Sequence, residues 1–292
     1  MGLKIALIIH PHGDHAWVEA LRTEVSRLRR AGHRVTPRLT FEAGDARLFA
    51  RAAARARYDL VIAAGGDGTV NGVVNGIARS QWQPRLGIVP GGTANDFAAG
   101  LGIPTPVAAA VETAVAGRPV AVDLARVGHR YFINVSTGGF AAEAVPTGSK
   151  RLLGPWAYLV TGARWLLHLQ PARARFCVGA ETVFEGAFLV FAVGNARQTG
   201  GGSRLTPRAV FGDGRLDVLI IPEMSRLAFL ALLPHLRAGT HLERPDVLYL
   251  QTPELIVEAA EALPVNVDGE PLRGRRFHYR LEGRPLTVML PR

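Results

Sequence analysis

One cysteine and two lysines are all that this 292-residue chain holds of either type. The lone thiol, Cys177, excludes an internal disulfide framework and any metal site built from several cysteines. A membrane-spanning helix needs about 20 consecutive apolar residues, and apolar runs such as residues 60–64 and 188–193 are far shorter. Residues 1–10 are apolar without a basic segment before them or a small-residue cleavage site. They read as a first β-strand rather than a signal peptide, and a cytoplasmic location is expected. The nine histidines show no metal-ligand spacing: His10, His12 and His15 cluster without a fourth ligand. No G-x-x-x-x-G-K-[ST] segment occurs, and Lys4 and Lys150 lie away from the glycine loops, which excludes a P-loop NTPase. Any phosphate bound by this chain would have its charge met by backbone amides, arginine and metal instead.

What is abundant is arginine. Thirty-two of the 34 basic residues are Arg, and the formal net charge is +10. Together with the many Ala, Gly and Pro residues this suggests codon bias, so the charge is set aside as a functional signal. No basic stripe with interleaved aromatics marks a nucleic-acid surface, and no nucleic-acid partner is expected.

The first 120 residues alternate strand-like and helix-like segments. Residues 4–9 and 34–39 read as strands, and Trp17, Leu21, Val25 and Leu28 recur at helical spacing. Residues 46–57 are Ala/Arg-rich and helix-like. Residues 60–64 and 86–89 are short apolar runs ending in glycines, as expected of central strands in a parallel sheet. Ligands of such sheets sit outside the carboxyl ends of the strands, where both glycine clusters fall. After Val120 the pattern becomes strand-rich, at 120–127, 131–135, 182–193, 216–221, 255–257, 264–267, 277–281 and 286–290, with helix-like stretches at 154–169 and 225–238. The expectation is an α/β chain in two parts. Residues 1–124 form a parallel-sheet nucleotide-binding domain. Residues 125–292 form a β-rich, mostly antiparallel, sandwich-like domain, from which the last strand can return to the first.

Two segments carry the chemistry. In Ala64-Gly65-Gly66-Asp67-Gly68-Thr69-Val70-Asn71 a strand passes into a helix, and the glycines let backbone N–H groups approach a polyphosphate at the helix N-terminus. Asp67 in that turn is placed to hold Mg²⁺ through water. A glycine pair alone is more simply a tight βα turn; Asp between glycines, followed by Thr and Asn, favours the phosphate reading. Pro90-Gly91-Gly92-Thr93-Ala94-Asn95-Asp96-Phe97 repeats the device one strand later, with Thr93 as a hydroxyl donor and Asp96 as a second carboxylate, although Thr93 or Asn95 alone would be an ordinary helix cap.

These two segments resemble the diacylglycerol kinase catalytic-domain family. In order after them come Gly194-Asn195-Ala196-Arg197-Gln198-Thr199-Gly200-Gly201-Gly202, then Phe211-Gly212-Asp213-Gly214-Arg215, then Val267-Asp268-Gly269-Glu270. The whole is most similar to the family's YegS branch. The resemblance implies an ATP-dependent lipid kinase with its active site in the cleft between the two domains, ATP and Mg²⁺ as cofactors, and a membrane lipid such as diacylglycerol or phosphatidylglycerol as acceptor. Asp268 matches the general base. Thr40, Gly65, Gly66, Asp67, Gly68, Thr69, Val70, Asn71, Gly92, Thr93 and Asn95 match nucleotide contacts. Asp67, Asp96 and Asp123 match carboxylates of a water and Mg²⁺ network. Asp213, with the backbone carbonyls of Val210 and Arg215, matches a second metal site. Several carboxylates for metal and one base near the acceptor are what phosphoryl transfer requires. Taken alone, Asp268-Gly269 is a hairpin turn.

Two departures stand out. Asn71 is followed by Gly72 where the family usually carries Glu, and Gly91 replaces a larger residue. The stretch 152–169, with Trp156, Tyr158 and Trp165, reads as a core helix in preference to a membrane-contacting one. An NAD kinase, which shares the first glycine motif, and a catalytically silent nucleotide-binding regulator are the alternatives. The enzyme is expected in the cytoplasm or peripherally at the inner membrane surface, and a homodimer is left open.

Overall fold

The computed structural model describes residues 2–11, 15–139, 142 and 170–292; the expected helix at 154–169 lies outside them. The chain opens with β1 (Lys4–Ile9), α1 (His15–Arg30), β2 (Arg34–Leu39), α2 (Asp45–Arg55), β3 (Leu60–Gly65), α3 (Asp67–Ile77), β4 (Arg85–Pro90), α4 (Asp96–Gly100), α5 (Val107–Ala116) and β5 (Arg118–Val122). The first sheet has the order β2-β1-β3-β4-β15-β5, where β15 (Leu286–Leu290) comes from the far end of the chain. Strands β1 to β4 pair in parallel, β15 continues parallel to β4, and β5 closes the sheet antiparallel to β15. β3 is wholly buried, as its apolar composition requires of a strand covered on both faces. Helix α1 buries Leu21, Val25 and Leu28 on one face.

The second sheet contains β6 (Ala125–Val127), β7 (Arg130–Phe132), β8 (Val135–Gly139), β9 (Ala172–Val178), β10 (Glu181–Gly194), β11 (Leu216–Pro222), β12 (Leu248–Thr252), β13 (Glu254–Val267) and β14 (Glu270–Leu281). All its pairings are antiparallel. β8 and β9 both lie between β10 and β13, at opposite ends of those long strands. One face closes on an aromatic core in which Phe176 meets Phe184, Phe188 and Phe191 edge to face. The opposite face of β8, β10 and β11 is covered by α6 (Arg226–Ala238), which buries Phe229, Leu232 and Leu236. A register shift between Phe188 and Val190 lets β10 serve both cores: Phe188, Phe191 and Val193 face one, Leu189, Val190 and Ala192 the other.

The structure divides two sequence-derived strands and joins two others into one. Residues 120–127 break at Asp123-Leu124 into β5 and β6, which belong to different sheets. Residues 131–135 break at Ile133-Asn134, whose amides leave the ladder for a carboxylate described below. The two short runs at 255–257 and 264–267 are one strand, β13, with an irregularity between Glu258 and Leu263.

Candidate active site

β13 and β14 are joined by Asp268-Gly269, both with left-handed backbone (φ 50° and 91°), the conformation of a two-residue hairpin turn. The turn aims the Asp268 carboxylate back at the β7–β8 junction. Oδ2 accepts from Ile133 N at 2.7 Å, and Oδ1 accepts from Asn134 N and Val135 N at 3.1 Å each. A fourth donor comes from the other domain: Asn71 Nδ2 on α3, 2.9 Å from Oδ2. Burial pushes the Asp268 carboxyl up to about 6, against the pull of these four donors toward the anion. The carboxylate is therefore charged at neutral pH and protonatable just below it, the range in which a general base is effective.

Asn71 belongs to an amide network that binds α3 to β7. Its side-chain oxygen accepts from Asn75 Nδ2 (2.9 Å), Asn75 Nδ2 also reaches Tyr131 O (3.0 Å), and Tyr131 N donates back to Asn75 Oδ1 (3.0 Å). One helical turn before Asn71 lie the two glycine loops, back to back: a Cβ on Gly92 would stand 2.5 Å from the Gly66 Cα. Only glycine permits that approach. Asn95, itself left-handed (φ 51°), locks the second loop by accepting from Gly92 N (2.9 Å) and donating to Gly92 O (2.7 Å). Asp67 accepts from the amides of Asp96 (3.1 Å) and Phe97 (3.0 Å), so the first loop caps the helix that leaves the second. Asp96 in turn accepts from Gly201 N (2.9 Å) and Gly202 N (3.0 Å), tying the β-rich domain's triple-glycine loop to the glycine loops of the first domain. Burial, with the charge of Asp67 adding to it, raises the Asp96 carboxyl above its ordinary range despite these amides.

Two cavities meet at this junction. The first, about 540 Å³, is polar: Thr40, Gly66, Gly68, Thr69, Asn71 and Gly92 line it, with Arg47 on one side and, on the other, Arg130 paired with Glu270 at 3.5 Å. The second, about 610 Å³, has an apolar wall of Val135, Val190, Leu205, Phe229, Leu233 and Leu236, while Asp67, Asp96 and Asp268 stand at its polar end. Asn71 faces the first cavity and Asp268 the second, and the 2.9 Å hydrogen bond between them spans the boundary.

The diacylglycerol kinase catalytic domain matches residues 4–127, and the YegS C-terminal NAD kinase beta sandwich-like domain matches residues 134–289. A Pseudomonas aeruginosa protein named "Probable lipid kinase YegS-like" is 39% identical over 292 aligned residues, 99% of this chain and 94% of that one. The chain belongs to the YegS-like lipid kinase family. A Staphylococcus epidermidis protein named diacylglycerol kinase is 34% identical, covering 92% of this chain and 86% of its own. Among solved structures, a diacylglycerol kinase from Bacillus anthracis superposes with a TM-score of 0.77 over 98% of this chain and 96% of that one at 24% identity, and an Archaeoglobus fulgidus NAD kinase in complex with ATP with 0.56 over 98% and 93% at 12%; both likenesses are of fold. No helix among the described residues of this lipid kinase relative is long and apolar enough to cross a membrane.

The structure gathers most of the residues singled out from sequence around the two cavities. Thr40 is buried, its hydroxyl 2.9 Å from His10 Nδ1 at the polar cavity. Gly65 abuts the Thr69 hydroxyl, Val70 points into the core, and Thr93 is exposed beside Gly92. Asp123 and Asp213 form a separate group: Asp123 Oδ2 accepts from Gly214 N (2.7 Å) and Asp213 Oδ1 from Arg215 N (3.0 Å), with Val210 half exposed at the start of that turn. Sequence reasoning missed the Ile133–Val135 amides around Asp268, the α6 wall, and the cavity-lining Arg47, His129 and Arg130, which carry no motif. Gly91 is explained by Trp17, whose indole lies across it and donates to Pro90 O (3.0 Å). No group of three His, Cys, Asp or Glu among the described residues encloses a metal directly. Asp67 and Asp96 nevertheless suit a hydrated Mg²⁺: they are neighbouring carboxylates, join none of the ion pairs among the described residues, and retain lone pairs beyond the amides they accept. The Asp213 carboxylate and neighbouring backbone carbonyls are likewise hard oxygen donors.

Proposed function

We propose that this family member transfers the γ-phosphate of ATP to the hydroxyl of a membrane lipid, with ATP in the polar cavity and the lipid chain in the apolar one. The observation that carries the reading is the Asn71–Asp268 hydrogen bond where the two cavities join. A polyphosphate fits the glycine-lined side, where backbone amides and Arg47 meet its charge. A hydroxyl bearing an acyl chain fits the other side, with the chain against Phe229, Leu233 and Leu236 and the hydroxyl at Asp268. An NAD kinase has no use for such an apolar wall.

Asp268 takes the proton as the lipid oxygen bonds to the γ-phosphorus and the bond to the ADP oxygen breaks. The three backbone amides fix the carboxylate, and Asn71 is its one side-chain donor among the described residues. Turning that amide away frees Oδ2 to accept the hydroxyl proton. Asp67 and Asp96 would hold Mg²⁺ through water, which neutralises phosphate charge when bound; the Asp213 turn would hold a second, structural metal. ATP supply and a bilayer acceptor put the enzyme in the cytoplasm at the inner membrane surface.

The test is transfer of labelled phosphate from ATP into a lipid panel, with NAD as the control acceptor. Label is expected in an organic-extractable product. Asp268→Asn should lower turnover by about 10²–10⁴-fold, the range of general-base catalysis, while ATP affinity is kept. Label in NAD, or wild-type turnover by the variant, overturns the assignment.

A further inference from the structure

Set beside the nucleotide cavity, and sharing only Arg47 and Asn75 with it, is a third hollow of about 620 Å³ between α2 and the C-terminal end of α3. Arg47, Arg51, Arg55, Arg57 and Arg79 line it around a floor of Ala54 and Gly76, and no carboxylate is among its lining residues. Arg47, Arg51 and Arg55 are spaced four apart on α2, so one helix face carries all three. All five are exposed and join none of the ion pairs among the described residues. The one acid of α2, Asp45, is spent on the amides of Phe41 (2.9 Å) and Glu42 (3.0 Å).

An ordinary solvated arginine face spreads its charges over a convex surface. This one is concave and depends on close packing: a Cβ on Gly76 would stand 2.5 Å from Arg47 O, so only glycine lets α2 settle onto α3. Arg57 is a second, independent sign. It occupies the left-handed position after α2 (φ 52°), closing the helix with bonds from its own amide to Ala54 O and from Tyr58 N to Ala53 O. Glycine is the usual residue there, and the strained arginine instead turns a fifth guanidinium to the hollow.

We propose that this hollow is a second anion site, taking a compact polyanion with two or more phosphate charges. Guanidinium forks bind phosphate oxygens in pairs; Arg79 is anchored by its bonds to Tyr131 Oη (3.3 Å) and His129 O (3.0 Å), and the other four, with no acidic partner among the described residues, suit a diphosphate or clustered phosphomonoesters better than a single monoanion. The ligand is either a free phosphate compound or the phosphate headgroups of a bilayer. The inference stands on the hollow itself; its test takes from the kinase reading only that the ATP analogue fills the polar cavity, which the analogue's own titration establishes first.

Pyrophosphate is titrated calorimetrically at constant ionic strength into the full chain already saturated with a non-hydrolysable ATP analogue. Sedimentation with phosphatidylcholine vesicles, with and without phosphatidic acid, forms the second arm. Both are repeated with Arg51→Gln/Arg55→Gln, which alters two exposed residues that do not line the nucleotide cavity. The wild type should bind a further equivalent of pyrophosphate, and the double variant should bind it about tenfold more weakly, the loss expected for removing charge-assisted hydrogen bonds. If the variant instead loses only phosphatidic-acid-dependent sedimentation, the headgroup is the ligand. A variant matching wild type in both arms, or a wild type that binds neither probe, overturns the proposal.

Discussion

At the scale of single residues, Asp268 is both the first residue of a hairpin turn and the proposed general base. Its left-handed backbone makes the hairpin, and its carboxylate occupies a ring of amide donors. With the carboxyl raised to about 6, the proposed base is charged above that pH, so turnover should fall as pH drops through about 6. The acidic limb of a pH–kcat profile checks this. Asn71→Ala removes a donor that favours the anion, so that limb should move to higher pH; an unmoved limb would dissociate Asn71 from the base. The sign for stability is opposite to the usual carboxylate case. The folded-state value lies above the ordinary 3.8, so this group's contribution is fully present below about 4 and declines as pH rises to about 6. Asp-Gly before a strand was legible as a turn, but nothing local to residues 267–269 shows that its carboxylate would be caged by residues 133–135.

Among elements, the α2–α3 contact requires glycine at position 76 but not at Gly72, the position of the departure. A Cβ there would stand 3.0 Å from the Ala46 Cβ, a side-chain contact that a shift of a few tenths of an ångström relieves, whereas at Gly76 the obstruction is backbone, Arg47 O at 2.5 Å. Gly76→Ala should therefore cost about 1–3 kcal/mol, as overpacking does. Gly72→Ala should be near neutral, because a gain in helix propensity of about 1 kcal/mol offsets the tight contact. Chemical denaturation of the two variants distinguishes the cases. Helix α6 makes a separate claim. Leu233→Ser should raise KM for the lipid about tenfold, the discrimination that a few methylene contacts supply, and leave KM for ATP unchanged; an equal rise in both would remove the acyl chain from that wall. Strands β9 and β12 escaped the sequence reading. In β9 the alternation is regular, Arg173 and Arg175 out and Ala174 and Phe176 in, but a strand of Ala and Arg carries helix-forming composition and hides its period of two.

Across the whole molecule, the last strand decides the architecture. β15 sits between β4 and β5, so the first sheet is complete only when the chain has built the second domain and returned. Deleting residues 284–292 strips β4 and β5 of their neighbour and uncovers the buried Leu286, Val288, Met289 and Leu290 contacts. The truncated chain should lose cooperative unfolding by calorimetry and much of its solubility. Local patterning by itself determined the alternating α/β half, the strand-rich half and the glycine turns, because hydrophobic period and left-handed glycine positions are properties of neighbouring residues. Only the tertiary structure decided that Asn71 meets Asp268 across 197 positions, that an apolar wall faces that carboxylate, and that five of the 32 arginines share one hollow. Those are encounters between remote segments, set by sheet topology and helix packing, and no window of sequence contains them.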